Sequence, residues 1–119
     1  MTLFHLTTRA AWAAAVADGS HRPPSLASEG FIHLSGASQW QATADRWFRG
    51  QRDLVLLAID EARLTAPVRH EPAAPPRPDG ERYPHLYGPL PVAAVIAVHD
   101  LAIDAAGAFV VPAALRPVS

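Results

Sequence analysis

Apolar and polar positions along the chain switch between a period of two and a helical period. Leu3 to Leu6 reads as a short first strand, and Thr7 and Thr8 supply hydroxyls able to cap a helix starting at Arg9. In Arg9 to Asp18, Trp12, Ala15 and Val16 fall at helical spacing, which predicts a helix with those side chains on the core; Gly19 closes it. Ser20 to Gly30, with its His21-Arg22-Pro23-Pro24 run, is too broken for regular structure and has the length of a functional connection. Phe31 to Leu34 predicts a second strand and Ser35 to Ser38 a cap. Trp40, Ala44, Trp47 and Phe48 form the apolar stripe of a second helix ending at Gly50.

Asp53 to Asp60 is the strongest strand pattern, apolar on both faces as a central strand requires. A turn at Glu61 to Leu64 precedes a short strand, Val68 to Glu71. Residues 72–82 form a loop whose prolines at 72, 75, 76 and 78 fit neither a helix nor a central sheet. His85 to Tyr87 predicts a brief extended piece and Val92 to Leu101 a longer buried strand. A C-terminal extension, residues 102–119, adds an edge strand from Ile103 to Val111 across a turn at Ala105 to Gly107. With no repeat and no domain boundary, the pattern predicts one α+β domain over 1–119. Its sheet is mixed and mostly antiparallel, with two N-terminal helices.

Composition narrows the chemistry. The 119 residues include ten arginines, no lysine and no cysteine. Disulfides, thiolate nucleophiles, thiolate metal sites, Schiff bases and the P-loop lysine are therefore excluded. The glycines, at 19, 30, 36, 50, 80, 88 and 107, are never closer than six apart, so the G-x-G-x-x-G dinucleotide fingerprint is absent. A net charge of −1 without a dense basic run argues against non-specific nucleic-acid binding. The longest apolar run, Val92 to Val98, falls far short of the roughly 20 residues that span a bilayer. Met1 to His5 lacks the basic start of a signal peptide, so the expectation is a cytoplasmic protein without membrane contact.

Six histidines, at 5, 21, 33, 70, 85 and 99, show no short metal-ligand spacing, and no metal is expected. Their placement is more informative. His5 and Thr7 share one face of the first strand, and His33 and Ser35 one face of the second. Each pair sits just before a predicted helix start, where donors, acceptors and a helix N-terminus suit a polar or anionic ligand. The plainer alternative is that the hydroxyls cap helices and the histidines are bonded at a sheet edge. Tyr83, His85 and Tyr87 also share a face, stiffened by Pro84 and Pro89, and offer an aromatic wall for a nucleobase or nicotinamide ring. Gly88 there permits an unusual backbone angle or a close approach. Glu71 and Glu29 are the carboxylates at strand ends. Arg46, Arg49 and Arg52 mark a helix end, where cations complement the dipole.

Taken in order, Phe4-His5-Leu6-Thr7, Ser25-Leu26-Ala27-Ser28-Glu29-Gly30-Phe31-Ile32-His33-Leu34-Ser35, the strand Asp53 to Asp60 and Pro84-His85-Leu86-Tyr87-Gly88-Pro89-Leu90 resemble the bacterial DUF952 family, whose name records an unknown function. That family looks like a compact relative of the ADP-ribosyltransferase superfamily, whose split sheet holds NAD without a Rossmann motif. His5-Leu6-Thr7 is similar to the His-x-Thr with which such enzymes hold ribose and nicotinamide. Ile32-His33-Leu34-Ser35 is similar to a stretch of the NAD-dependent RNA 2′-phosphotransferases. The resemblance implies NAD contacts at His5 and Thr7 and a second functional strand at His33 and Ser35. No Gln-x-Glu or Glu-x-Glu stands in the back half, and Arg22, Arg46 and Arg69 have no motif support as substitutes for the phosphotransferase arginines.

The leading expectation is a domain binding NAD or an ADP-ribosyl compound, with cleavage or transfer at the nicotinamide–ribose bond. His33, Ser35 and Glu71 are the catalytic candidates; His5, Thr7, Tyr83, His85 and Tyr87 are the ligand-binding ones. The alternative is a non-catalytic module of the same fold that binds another metabolite or a protein.

Overall fold

The computed structural model describes residues 1–73 and 75–116; residue 74 of the proline-rich loop and residues 117–119 of the C-terminal extension lie outside the described residues. In chain order the elements are β1 (Thr2–Thr8), α1 (Arg9–Asp18), β2 (Ser20–His21), α2 (Pro24–Ser28), β3 (Ile32–His33), α3 (Trp40–Trp47), β4 (Leu54–Asp60), β5 (Val68–Pro72), β6 (Arg82–Leu86), β7 (Leu90–Pro91) and β8 (Val95–Asp100).

Local chemistry accounts for α1. Thr8, still extended, accepts a hydrogen bond from the Ala11 amide, and Gly19 closes the helix in the left-handed region at φ 94°. The connection expected to be irregular contains α2, one turn with proline at its first position. The Ser35 to Ser38 hydroxyls do not cap α3. Ser35 is instead drawn into an antiparallel bridge with Phe4, and Gln39 anchors the helix start through Gly36, Glu81 and the Arg82 carbonyl.

Among the described residues the strands form three antiparallel sheets, β1-β4-β8, β2-β7 and β3-β6-β5, which agrees with the mostly antiparallel expectation but not with a mixed sheet. No parallel pair occurs among the described residues, because the long connections carry the chain into a different sheet rather than back alongside its predecessor. The two larger sheets meet where Phe4 and Ser35 exchange backbone hydrogen bonds of 2.7 and 2.8 Å.

Alternation along β4 builds the layers. Val55, Leu57 and Ile59 point into one core with Leu3, Ile32, Leu34 and Leu86, between the two sheets. Leu54, Leu56 and Ala58 point into a second core with Phe4, Leu6, Trp40 and Ala44, roofed by α3. The C-terminal extension completes that roof with Phe109, Val111 and Leu115. Its expected edge strand is reduced to one bridge, Ile103 to Phe109, around a turn held by the Asp104 carboxylate.

Three expectations about burial fail for geometric reasons. Val16 is 54% exposed, because Trp12 and Ala15 already fill the face of α1 that meets the core. Trp47 is 58% exposed: Trp40 and Ala44 take the inner stripe of α3, and the next residue on it is Phe48. Val92 to Leu101 is not one buried strand. Val92–Ala94 is a 3-10 turn after Pro91, and β8 lies at a sheet edge with Ile96 and Val98 exposed.

Candidate functional site

The sheet β3-β6-β5 has two chemically different faces. Ile32, Leu34, Leu86 and Val68 turn to the core. Period-two alternation then sends Phe31, His33, Tyr83, His85, Tyr87, Arg69 and Glu71 to the opposite face. Register brings them together. His33 lies directly opposite His85, which lies directly opposite Arg69 on its other side, and Glu71 is the diagonal neighbour of His85.

His85 is the hub of this face. It is only 3% exposed, stacked on Phe31 with ring centroids 4.1 Å apart, and met edge-on by His33 at 5.4 Å. Its Nδ1 donates to Glu71 Oε1 across 3.0 Å, and the Tyr87 hydroxyl donates to the same oxygen. Those donors, Tyr87 first and then His85, hold the Glu71 carboxyl below its ordinary pKa, while the bond to Glu71 raises that of Tyr87. Arg69 lies over the Tyr87 ring, 4.8 Å from its centroid. His33 has its own carboxylate: Nε2 is 2.8 Å from Glu29 Oε2.

His5 reaches this region from β1 and is bonded quite differently. Nδ1 is 2.7 Å from the His33 carbonyl oxygen, which can only accept, so Nδ1 carries the hydrogen. Burial, with a smaller contribution from His21, lowers the His5 pKa from 6.5 to about 4, so the ring is neutral at pH 7. Nε2 is then an acceptor, and His21 Nε2–H donates to it across 3.2 Å. Burial also lowers the pKa of His21. Both nitrogens of His5 are thus engaged inside the fold.

A cavity of about 500 Å³ opens where β1, β3 and β6 converge. Of the residues singled out from sequence, His5, Thr7, His33, Ser35, Tyr83 and His85 line it. Glu71 and Tyr87 do not; Glu71 holds His85 Nδ1, and Tyr87 in turn holds Glu71. Thr8, rather than Thr7, is the helix cap, which leaves the Thr7 hydroxyl to the cavity. Arg22 belongs to a second cavity of about 370 Å³ beside α1.

Arg46 and Glu29, named from the sequence, also line the wall, as do Thr43 and Arg77, to which the sequence did not point. Arg46, read as a helix-end cation, lines the cavity beside Trp47, its guanidinium 5.1 Å from the indole centroid. Arg77 comes from the proline-rich loop; its Nε lies 3.4 Å from Glu81 and 3.5 Å from Asp79, ion-pair distances without hydrogen-bond geometry. Thr43 lines the cavity 3.4 Å from Ser35 Oγ, and Glu29 lines it beside His33. Phe31 stacks on His85 without lining the cavity, and its parity with His33 and Ser35 is a legible signal. Nothing in the sequence brings Arg46 and Arg77 to one cavity, because the packing of α3 and the loop does that. Gly88 is needed for close approach: an added Cβ would stand 2.5 Å from the Ala66 Cβ.

Among the described residues no group of three or more His, Asp or Glu is placed to hold a metal ion. No helix among them is long and apolar enough to cross a membrane.

Residues 6–98 match the family model DUF952, described as a protein of unknown function, and the chain belongs to that family. It is similar to protein CC0527 from Caulobacter crescentus. The crystal structure of that protein is 40% identical over 92% of this chain and 94% of that one, with a TM-score of 0.82. Its solution NMR structure matches at 41% identity over 90% of each chain, with a TM-score of 0.75. No curated protein matches the chain.

Proposed function

We propose that the cavity binds NAD or a related ADP-ribosyl compound in an ADP-ribosyltransferase-like arrangement, with cleavage or transfer at the nicotinamide–ribose bond. One observation carries the reading. The His5–Thr7 end of β1 and the His33–Ser35 end of β3, joined by the Phe4–Ser35 bridge, wall a single cavity with Tyr83 and His85. Its volume lies within the roughly 300–1,000 Å³ of small-molecule pockets.

The wall groups divide the work. Arg46 and Arg77 supply cationic donors for a diphosphate. The Thr7 and Ser35 hydroxyls suit ribose hydroxyls, and Tyr83 with the His33 and His85 rings forms the planar side for nicotinamide. His5 acts as wall and as a brace for the His33 backbone, since neither of its nitrogens is free. Cleaving the bond to nicotinamide develops an oxocarbenium-like ribose, which the site must orient and stabilise. A cytoplasmic location accords with a nucleotide ligand.

A non-catalytic module binding a small metabolite is the second reading. It is favoured by the carboxylates: Glu71 stands outside the cavity wall and Glu29 is paired with His33.

Calorimetric titration with NAD, ADP-ribose and nicotinamide tests both. NAD and ADP-ribose are expected to bind with micromolar affinity, and Arg46→Ala or Arg77→Ala to weaken both by about tenfold, or ~1.4 kcal/mol. Absence of heat for NAD and ADP-ribose up to millimolar concentration removes the nucleotide reading and leaves the metabolite one.

A further inference from the structure

We infer that His85 is the general base of this cavity and that Glu71 and Tyr87 are positioning residues that set its tautomer, so that the group attacking the ribose is a water molecule. The inference rests on the nucleotide reading above and adds the reaction's nucleophile and the residue that activates it.

The geometry separates His85 from the other histidines around the cavity. His5 has both nitrogens bonded within the protein. His33 and its carboxylate partner, Glu29, are both exposed. His85 alone combines burial, a ring clamped by stacking on Phe31, and a carboxylate held by a second donor. Because ionised Glu71 can only accept, Nδ1 of His85 must carry hydrogen. In the neutral ring Nε2 then has a bare lone pair and no protein partner among the described residues. His85 is part of the cavity wall, so Nε2 is the nitrogen left for a ligand. A base whose tautomer and plane are fixed by a neighbouring carboxylate is the arrangement that proton abstraction needs.

Glu71 cannot itself be the base. It does not line the cavity, and one of its oxygens already accepts two hydrogen bonds. Its role runs through His85: it selects the tautomer and stabilises the imidazolium formed when the proton arrives.

The step balances with water alone. Water gives a proton to His85 Nε2 while its oxygen forms a bond to ribose C1′. The bond from C1′ to the pyridinium nitrogen breaks, and its electron pair returns to that nitrogen, which leaves nicotinamide neutral. His85 then releases the proton to solvent. The products are ADP-ribose, nicotinamide and one proton.

The test pairs nicotinamide release across pH with NAD calorimetry on the full chain, for the wild type and for His85→Gln, Glu71→Gln and Tyr87→Phe. His85→Gln should slow release at saturating NAD by about 10²–10⁴-fold. Glu71→Gln should slow it by at least ~tenfold and move the acid limb of the pH profile to lower pH, because removing the anion disfavours the imidazolium. Tyr87→Phe should move that limb the other way, because the Glu71 charge is then shared with one donor fewer. Opposite shifts are not expected of residues that merely support the fold, and Tyr87→Phe is the milder change if Glu71→Gln unfolds. NAD binding without nicotinamide release in the wild type overturns the inference and leaves the binding reading intact. Release at wild-type rate per folded molecule in His85→Gln also overturns it. If the wild type binds no NAD, both fall together.

Discussion

The two larger sheets are built alike and used oppositely. In β1-β4-β8 the central strand carries apolar side chains on both faces, and each face lies on its own core. In β3-β6-β5 one face closes the same core while the other carries three aromatic rings, two histidines, an arginine and a carboxylate. Both are three-stranded and antiparallel, so the difference lies in what occupies alternate positions. A sheet already anchored by one apolar face leaves its other face available for chemistry. His5 marks the border. It lies in the apolar sheet but points towards the polar one, and its nitrogens serve the fold, whereas His85 Nε2 has no partner among the described residues.

Four changes probe that division, from the largest expected effect downward. Trp40→Ala removes the main side chain that α3 packs on the apolar sheet and should cost about 3–5 kcal/mol in urea unfolding. A loss below ~1 kcal/mol would show that the second core is not what holds that sheet.

Acid should act through the border residue. In the unfolded chain His5 takes up its proton near pH 6.5, in the fold only near pH 4. Between those values the unfolded chain binds more protons, so this contribution is fully present above pH 6.5 and is lost as pH falls towards 4. The whole window is worth on the order of 3 kcal/mol. His5→Asn keeps a donor for the His33 carbonyl but cannot titrate, and its urea midpoint should vary less with pH over this range. An unchanged slope would assign the acid sensitivity to other groups.

Gly88→Ala tests how tightly the turn after the polar sheet's central strand is packed. Its Cβ would meet that of Ala66, a stub with no rotamer to yield, so a loss of about 1–3 kcal/mol is expected. Thermal unfolding within a degree of wild type would mean that the turn gives way freely.

Trp47→Ala should do least to stability, within about ±0.5 kcal/mol, because the side chain is largely in solvent. It lines the cavity, so the same variant should still weaken NAD binding in the calorimeter. Large destabilisation with unaltered binding would reverse the assignment of Trp40 to the fold and Trp47 to the cavity.

Much of the fold is legible along the chain. The run Leu54 to Ile59 announces a strand buried on both sides, because only such a strand tolerates apolar residues at every position. Thr8 and Gly19 announce the limits of α1 by their capping chemistry. Parity places His5 with Thr7, His33 with Ser35, and Tyr83 with His85 and Tyr87, because alternation is a local property of an extended backbone. Family membership is legible in the same stretches.

Tertiary structure alone decided which of those faces meet and which nitrogens remain free. The identical imidazoles of His5 and His85 acquire different chemistry from their partners, a backbone carbonyl and His21 in one case and a carboxylate in the other. Those partners stand 28, 16 and 14 residues away. Arg46 and Arg77 reach one cavity through the packing of a helix and a loop, and Glu71 stands on the edge strand β5, outside its wall. Periodicity is set by each residue's own backbone, so sequence determines it. Hydrogen-bond partners and cavity walls are set by contacts between distant segments, and only the packed fold specifies them.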